Sequence, residues 1–347
     1  MTLTEGASRV VAYALYAPSL LTQKRMKLQK VLSLLIMATL VVGCGDDDEE
    51  GGSTTYTGNK NKNIALYSGL EFPHISNGNS TVVTHSTSKY GTTYSLEWDH
   101  DLKAQRWTCY YFTKENKVKN WSRNSWNGAT WQGKSWNGDP FQKDPDIPYA
   151  EQPNVTGEFS GSSYPDKGFT YFQRGHICAS EDRMASQDAN GQTFYMSNMF
   201  PQGDNFNTGI WSNMESFVRN DWGKNISGTD TLFVVKGGTI DHEDQILCRT
   251  RSGFIVPRYF FMALLLKRSN GSYQAMAFWI EHLNTDRKND KLADYACNIR
   301  TLEEKTRSRA SKDDGIDFFC NLPDDIEDAV ETQDIATIKR LWNLTNR

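Results

Sequence analysis

The stretch over residues 173–219 constrains this chain more than any other. It opens Gln173-Arg174-Gly175-His176 and continues with Tyr195-Met196-Ser197-Asn198-Met199-Phe200-Pro201-Gln202. It closes with Phe206-Asn207-Thr208-Gly209-Ile210-Trp211, followed by Glu215 and Arg219. On a helix turning about 100° per residue, Glu215 and Arg219 fall roughly 80° and 120° round from Asn207. The spacing therefore predicts that all three face one cleft. A histidine base, an amide oxygen for a hard cation and arginines for phosphate oxygens are the parts that phosphodiester hydrolysis requires. Singly, each has a plainer use: a lone histidine braces a core, an asparagine caps a helix, and a Glu/Arg pair at i,i+4 decorates a surface. The joint spacing carries the reading.

Around this stretch the chain is rich in strand patterns. Residues 81–85 and 93–98 alternate partly with period two, and residues 106–112 make a stronger, aromatic strand. Residues 231–238 read as a buried strand ending in a glycine turn. Residues 259–266 and 273–280 read as a hairpin around Asn270-Gly271. Residues 292–306 read as a helix. The globular part begins near Asn63, with apolar pieces at 64–67 and 70–72, and it is finished by residues 315–319 and 326–331. Strands dominate, with helices inserted. That predicts an α+β fold: a central, largely antiparallel sheet flanked by helices. There is no repeat of domain scale, no GxxxxGK[ST] loop and no CxxC pair.

Between these strands, Trp121, Trp126, Trp131 and Trp136 recur every five residues, and Asn-Gly follows two of them. Neither the helix nor the strand period fits, so residues 119–149 are expected to be a loop with Asn-Gly turns. The indoles are either a platform for stacking bases or sugars or pins that fix the loop to the body. Arg123, inside this loop, is a candidate phosphate contact.

The N-terminal region reads separately. A short basic segment, Met26-Lys27-Leu28-Gln29-Lys30, precedes an apolar run over residues 31–43, too short for a comfortable membrane span. It ends Val41-Val42-Gly43-Cys44, followed by Gly45 and the acidic run 46–50. This resembles the lipobox of a bacterial lipoprotein, which implies a signal peptide at 26–43 and lipidation of Cys44. A plain secretory signal or a buried helix is the alternative. Residues 1–25 add nothing to such a signal, so Met26 is the expected start and 1–25 an over-extended one. The acidic run resembles the export tag of surface-displayed lipoproteins, which implies anchoring to the outer membrane at the cell surface, with its periplasm-facing side and a merely solvated linker as the alternatives. Beyond Cys44, residues up to 62 are mostly Gly, Ser, Thr, Asn and acid, a flexible tether. The catalytic domain is expected over 63–347.

Composition permits a core, with 38% hydrophobic and 12% aromatic residues, and excludes global disorder. The net charge is −4, and −8 beyond residue 44. That opposes a nucleic-acid partner weakly, because nonspecific binding relies on basic patches. A divalent cation and a local arginine cluster reverse the sign inside one cleft. Of six cysteines, five remain if Cys44 is lipidated. An exported chain then has room for one or two disulfides and at least one leftover thiol, with connectivity open. No His/Cys spacing fits zinc.

The motifs resemble those of the sugar-non-specific DNA/RNA endonucleases, the ββα-metal (His-Me finger) nucleases that include endonuclease G. Their pattern is Asp-Arg-Gly-His, then Ser-Asn-x-x-Pro-Gln, then Asn-x-Gly-x-Trp with Glu eight and Arg twelve positions past that Asn. This chain matches in order and spacing, except that Gln173 stands where the family has Asp. Similarity extends outward from Leu70-Glu71-Phe72-Pro73 to Gly315-Ile316-Asp317-Phe318-Phe319. The resemblance implies a metal-dependent nuclease acting on DNA and RNA. Asn207 would be the one protein ligand of a Mg²⁺ (Mn²⁺ substituting), His176 the general base and Glu215 the acceptor for the metal's waters. Arg219 would hold phosphate near the leaving group. Arg174 is a further substrate contact or a brace. Asn198 is a substrate-side candidate or a support for the metal loop through backbone bonds. A Cys178/His176 nucleophile pair is the weaker chemical alternative. Two other classes stay open: a surface glycan-binding lipoprotein using the Trp loop, and a catalytically degenerate scaffold, which Gln173 makes conceivable.

Overall fold

Three strands begin the fold. β1 (Ser80–Thr87), β2 (Gly91–Asp99) and β3 (Ala104–Phe112) form a meander of β-branched and aromatic residues, the composition that fills a pleated, half-buried surface. The computed structural model describes residues 72–76, 78–157, 159, 168–307 and 315–345. The proposed signal peptide, Cys44, the tether and the apolar piece at 64–67 lie outside them.

Next come a small hairpin, β4 (Asn127–Trp131) and β5 (Lys134–Asn137), and a two-stranded ribbon, β6 (Phe172–His176) and β7 (Met199–Gly203). Helix α1 (Gln187–Gln192) lies between the ribbon strands in sequence. After a helical stretch that carries part of the site come β8 (Thr231–Gly238), the pair β9 (Ile246–Arg249) and β10 (Ile255–Pro257), and the long hairpin β11 (Tyr259–Lys267) and β12 (Tyr273–Glu281). β13 (Ala296–Cys297) is short. Among the described residues seven strands make the main sheet in the order β1-β2-β3-β8-β11-β12-β13, and every neighbouring pair is antiparallel. The fold is α+β, as expected.

The centre of this sheet is buried on both faces. Phe260, Met262, Leu264 and Leu266 of β11 join one core with Tyr110, Leu232 and Val234, and with Trp211 and Phe217 from the site region. Phe261, Ala263 and Leu265 join the opposite core with Trp107, Val235, Ile299 and Leu302. That is why β11 reads as a continuous apolar run. The first face supports the site. Helices α2 (Ile299–Thr306) and α3 (Asp324–Glu331) pack with the second core, and α4 (Ile335–Leu341) returns Ile338 to the first.

Two expectations are corrected. Residues 292–306 are not one helix: a 3₁₀ turn (Leu292–Asp294) and β13 precede α2. Asn298 caps α2, its side chain accepting from Thr301 N at 2.8 Å, and N-cap geometry is non-helical, so nothing helical runs through it. Residues 119–149 are not wholly a loop. β4 and β5 turn at Gln132-Gly133, both at positive φ (49° and 72°), the conformation of a type I′ hairpin. Asn127-Gly128 marks a register irregularity instead of a turn. Trp126 and Trp131 are buried and donate to Asn190 and Asp188 at 2.8 Å, so these indoles pin the segment and are not a stacking platform. No helix among the described residues is long and apolar enough to cross a membrane.

Candidate active site

The ribbon sets the first half of the site. β6 and β7 pair antiparallel, with His176 opposite Met199 and Gln173 opposite Gln202. Gly175 has no room for a Cβ, which would lie 2.1 Å from Gln202 Oε1 on the other strand. His176 ends β6, held by Trp211 Nε1 donating to its carbonyl at 3.3 Å. Asn198 just precedes β7 and ties the ribbon to the following chain. Its Oδ1 accepts from Cys178 N at 2.8 Å, and its Nδ2 donates to Cys178 O and Thr193 O. Fully buried, it braces backbone, which corrects the reading of Asn198 as a substrate contact.

The second half is helical, with two irregularities. A π-turn (Phe206–Trp211) broken at Gly209 (φ −101°, ψ −110°) leads into a short α-helix (Ser212–Ser216), and a second π-turn (Phe217–Trp222) follows. Ideal helix angles therefore do not hold. Even so, Asn207, Glu215 and Arg219 line one cavity of about 560 Å³ together with His176, Arg174 and Arg123.

Electrostatics differ sharply across that cavity. The His176 ring lies against Phe194 and Phe141, with centroids 5.0 and 5.8 Å away, and its Nε2 is buried without a hydrogen-bond partner among the described residues. Burial, then the nearby Arg123, Arg174 and Lys236, lowers its pKa to about 3. The imidazole is neutral at ordinary pH and able to accept a proton. A phosphate entering the cleft brings negative charge, which moves that pKa back upward. Glu215 is pushed the other way: burial raises its pKa, and Lys236, donating to Oε1 at 3.1 Å, partly offsets this.

Beneath the cleft runs a charge network that sequence reasoning missed. Asp182, fully buried at its carboxylate, accepts from Arg219 Nε at 2.6 Å and Tyr110 Oη at 2.7 Å, with Lys236 Nζ 3.8 Å away. Burial opposes its charge, but Arg219 and Lys236 outweigh that and hold its carboxyl below the usual range. Lys236 was visible in one respect. It shares strand parity with Leu232 and Val234, both on the site-facing core, so a lysine there had to be buried and paired. Asp182 carried no local signal.

The arginines are also engaged. Arg219 reaches Glu181 at 2.8 Å, and Arg123 is paired with both oxygens of Asp139. Arg174 stacks on Phe141 at 3.8 Å and donates to Val155 O, with no carboxylate partner among the described residues. Cys178 is a buried free thiol whose pKa burial pushes up to about 12. A thiol so protonated is no nucleophile, which removes the Cys/His alternative.

Asn207 and Glu215 present hard oxygen donors. Asn207 donates through Nδ2 to Gln173 Oε1 at 2.6 Å, leaving Oδ1 without a donor among the described residues; Glu215 Oε2 is likewise unengaged. An amide and a carboxylate oxygen suit a cation that keeps most of its waters.

A strand ribbon and helix presenting His, Asn, Glu and Arg to one cleft, on the face of an antiparallel sheet, define a ββα-type nuclease architecture. The chain belongs to the DNA/RNA non-specific endonuclease family, whose sequence profile matches residues 71–325. It is 29% identical to Nuclease C1 of Cunninghamella echinulata over 180 residues, which cover 50% of this chain and 67% of that protein. It is 27% identical to human mitochondrial endonuclease G over 121 residues, 33% of this chain and 40% of that one. The Xenopus laevis mitochondrial nuclease EXOG is 31% identical over 37% of each chain. The alignments thus span from about two thirds to little over a third of these relatives. A crystal structure of EndoG with its inhibitor EndoGI superposes with a TM-score of 0.50 at 19% identity, covering 69% of this chain and 86% of that one; this likeness concerns the fold.

Proposed function

We propose that this chain hydrolyses phosphodiester bonds of DNA and RNA with little sequence preference, using a divalent cation, Mg²⁺ with Mn²⁺ as a substitute. One observation carries the reading: a neutral His176 shares its cleft with the unengaged oxygens of Asn207 and Glu215 and with three arginines. Asn207 Oδ1 would hold the cation and Glu215 would orient its water shell. When bound, the cation supplies charge stabilisation at the phosphoryl group and the departing oxygen. His176 takes the proton from the attacking water. Arg174, with no acid partner among the described residues, offers its guanidinium to a non-bridging phosphate oxygen, and Arg219, lining the same cleft, holds phosphate near the leaving group.

Plasmid DNA and RNA incubated with the purified chain in Mg²⁺ or Mn²⁺, with and without chelator, test this. Both substrates are expected to be cut, and both to survive in chelator. His176→Ala is expected to lose about 10²–10⁴-fold in rate with no recovery at raised Mg²⁺, whereas Asn207→Ala recovers partly. Intact DNA and RNA in every metal overturns the proposal, and a rescue confined to His176→Ala overturns the division of roles. Export and anchoring through a lipidated Cys44 belong to the same proposal, supported by the lipobox pattern. Detergent-phase partitioning should disappear in Cys44→Ala, and unchanged partitioning refutes it.

A further inference from the structure

An amide side chain has two ends of nearly one shape and opposite chemistry: an oxygen that accepts and a nitrogen that donates. Asn207 can serve a cation only with Oδ1 toward the cleft, so something must fix which way the amide lies. The fixing bond is Asn207 Nδ2 to Gln173 Oε1, 2.6 Å. Gln173 is itself an amide with the same ambiguity, resolved by its other end: Gln173 Nε2 donates to Asp204 Oδ1, also at 2.6 Å. There the ambiguity stops, because an ionised carboxylate only accepts. Read outward from Asp204, every orientation is forced. Gln173 must turn Nε2 to Asp204, so Oε1 faces Asn207; Asn207 must give Nδ2, so Oδ1 faces the cleft.

We propose that Asp204 is a positioning residue that acts through Gln173 to hold the Asn207 amide with its oxygen toward the cation, an inference that rests on the metal-ligand reading of Asn207. It also accounts for Gln173 at a position where the family resemblance leads one to expect Asp. A glutamine is neutral and cannot fix the orientation of a neighbouring amide by itself. A carboxylate one step further along the chain restores that capacity. Asp204 stands directly after β7 and Gln173 lies within β6, so the two strands of the ribbon bring the three groups together. The local turn does not depend on the Asp204 carboxylate: Thr208 Oγ1 donates to the Asp204 backbone carbonyl at 2.9 Å, a bond that a side-chain substitution leaves in place.

The test is Mn²⁺ affinity measured by electron paramagnetic resonance without substrate, on the native chain, Asp204→Asn, and Asp204→Asn combined with Gln173→Glu. Asparagine keeps the shape of Asp204 but can donate, so the relay can flip. Mn²⁺ affinity is expected to fall by about 10–100-fold, the usual cost of losing a partner behind a metal ligand. In the double variant the carboxylate stands at position 173, accepts from both neighbours and fixes Asn207 again. Affinity is expected to recover most of the loss, which a merely structural role for Asp204 does not predict. Native-like affinity in Asp204→Asn, or no recovery in a folded double variant, overturns the relay. A native chain that binds no Mn²⁺, or one whose affinity survives Asn207→Ala, defeats the ligand reading beneath it, a separate result.

Discussion

Lys236 is the residue on which the site's charges balance. Its ammonium is fully buried on β8, 3.1 Å from Glu215 and 3.8 Å from Asp182, and within 6 Å of the Tyr110 and Trp211 ring centroids. Removing one partner from a buried ion pair costs about 3–5 kcal/mol, because the remaining charge is left without compensation. Lys236→Met is therefore expected to lower stability toward urea by about that much and to push Glu215 further toward its protonated form. Combining it with Glu215→Gln should restore part of the loss, since one uncompensated charge is then gone. Urea midpoints for the two variants check this, and a Lys236→Met protein as stable as the native one rejects the pairing. Residues of this kind separate what the sequence shows from what it hides. His176, Asn207, Glu215 and Arg219 were legible because they fall at fixed spacings within one stretch. Asp182, Asp204 and Asp139 were not, because each acts on a partner brought near only by folding: Arg219, Gln173 and Arg123 respectively. Arg123 illustrates the difference. Its place in the Trp-rich segment suggests a phosphate contact and it does line the cleft, but it is already paired with Asp139.

At the scale of elements, partial period-two alternation sufficed to read β1 and β2, aromatic content β3, and buried apolar runs with the Asn270-Gly271 turn β8 and the β11–β12 hairpin. Elements fixed by caps and π-turns were harder, since the bonds that end them come from side chains or from irregular backbone. The layer of α2 and α3 shows another device invisible in sequence. Glu303, Asp317 and Glu331 bring carboxylate oxygens within 4.8 Å of one another, and Arg300 donates to Glu331 at 2.8 Å. Burial, then repulsion from Asp317, raises the pKa of Glu303; burial, then Glu303, raises that of Glu331. The folded state keeps protons that the unfolded state releases above its ordinary carboxylate pKa of about 4.5, so this contribution to stability is fully present below that value. It is lost as pH rises through the raised folded values. Glu331→Gln mimics the protonated acid at any pH. It is expected to melt with the native chain near about pH 5 and above it near about pH 9, by about 1–2 °C for each kcal/mol of relief in a chain of this size. Parallel melting curves across that range would reject the raised values.

For the whole molecule, the question is how an acidic chain holds a polyanion. Its net charge is −4, and two of the three cleft arginines already have carboxylate partners, Arg123 with Asp139 and Arg219 with Asp182 and Glu181. Binding of duplex DNA weakens with salt at a logarithmic slope of about −0.9 for each phosphate neutralised. A cleft with two arginines paired to carboxylates and one, Arg174, with no carboxylate partner among the described residues should therefore give a slope between about −0.9 and −2.7, shallow for a nucleic-acid-binding protein. The pairing also predicts a specific gain. Asp139→Asn removes the acid that holds Arg123 and leaves the guanidinium for substrate. Duplex binding at low salt should tighten, and the slope should steepen by up to about 0.9. Fluorescence anisotropy of a labelled duplex, titrated with His176→Ala protein over a range of NaCl concentrations, measures both slopes without cleavage. A background slope near about −6 would mean that phosphates are held by a much wider basic surface than this cleft. An unchanged slope in the added Asp139→Asn variant would mean that Arg123 remains a brace for the Trp-rich hairpin even when its acid is gone.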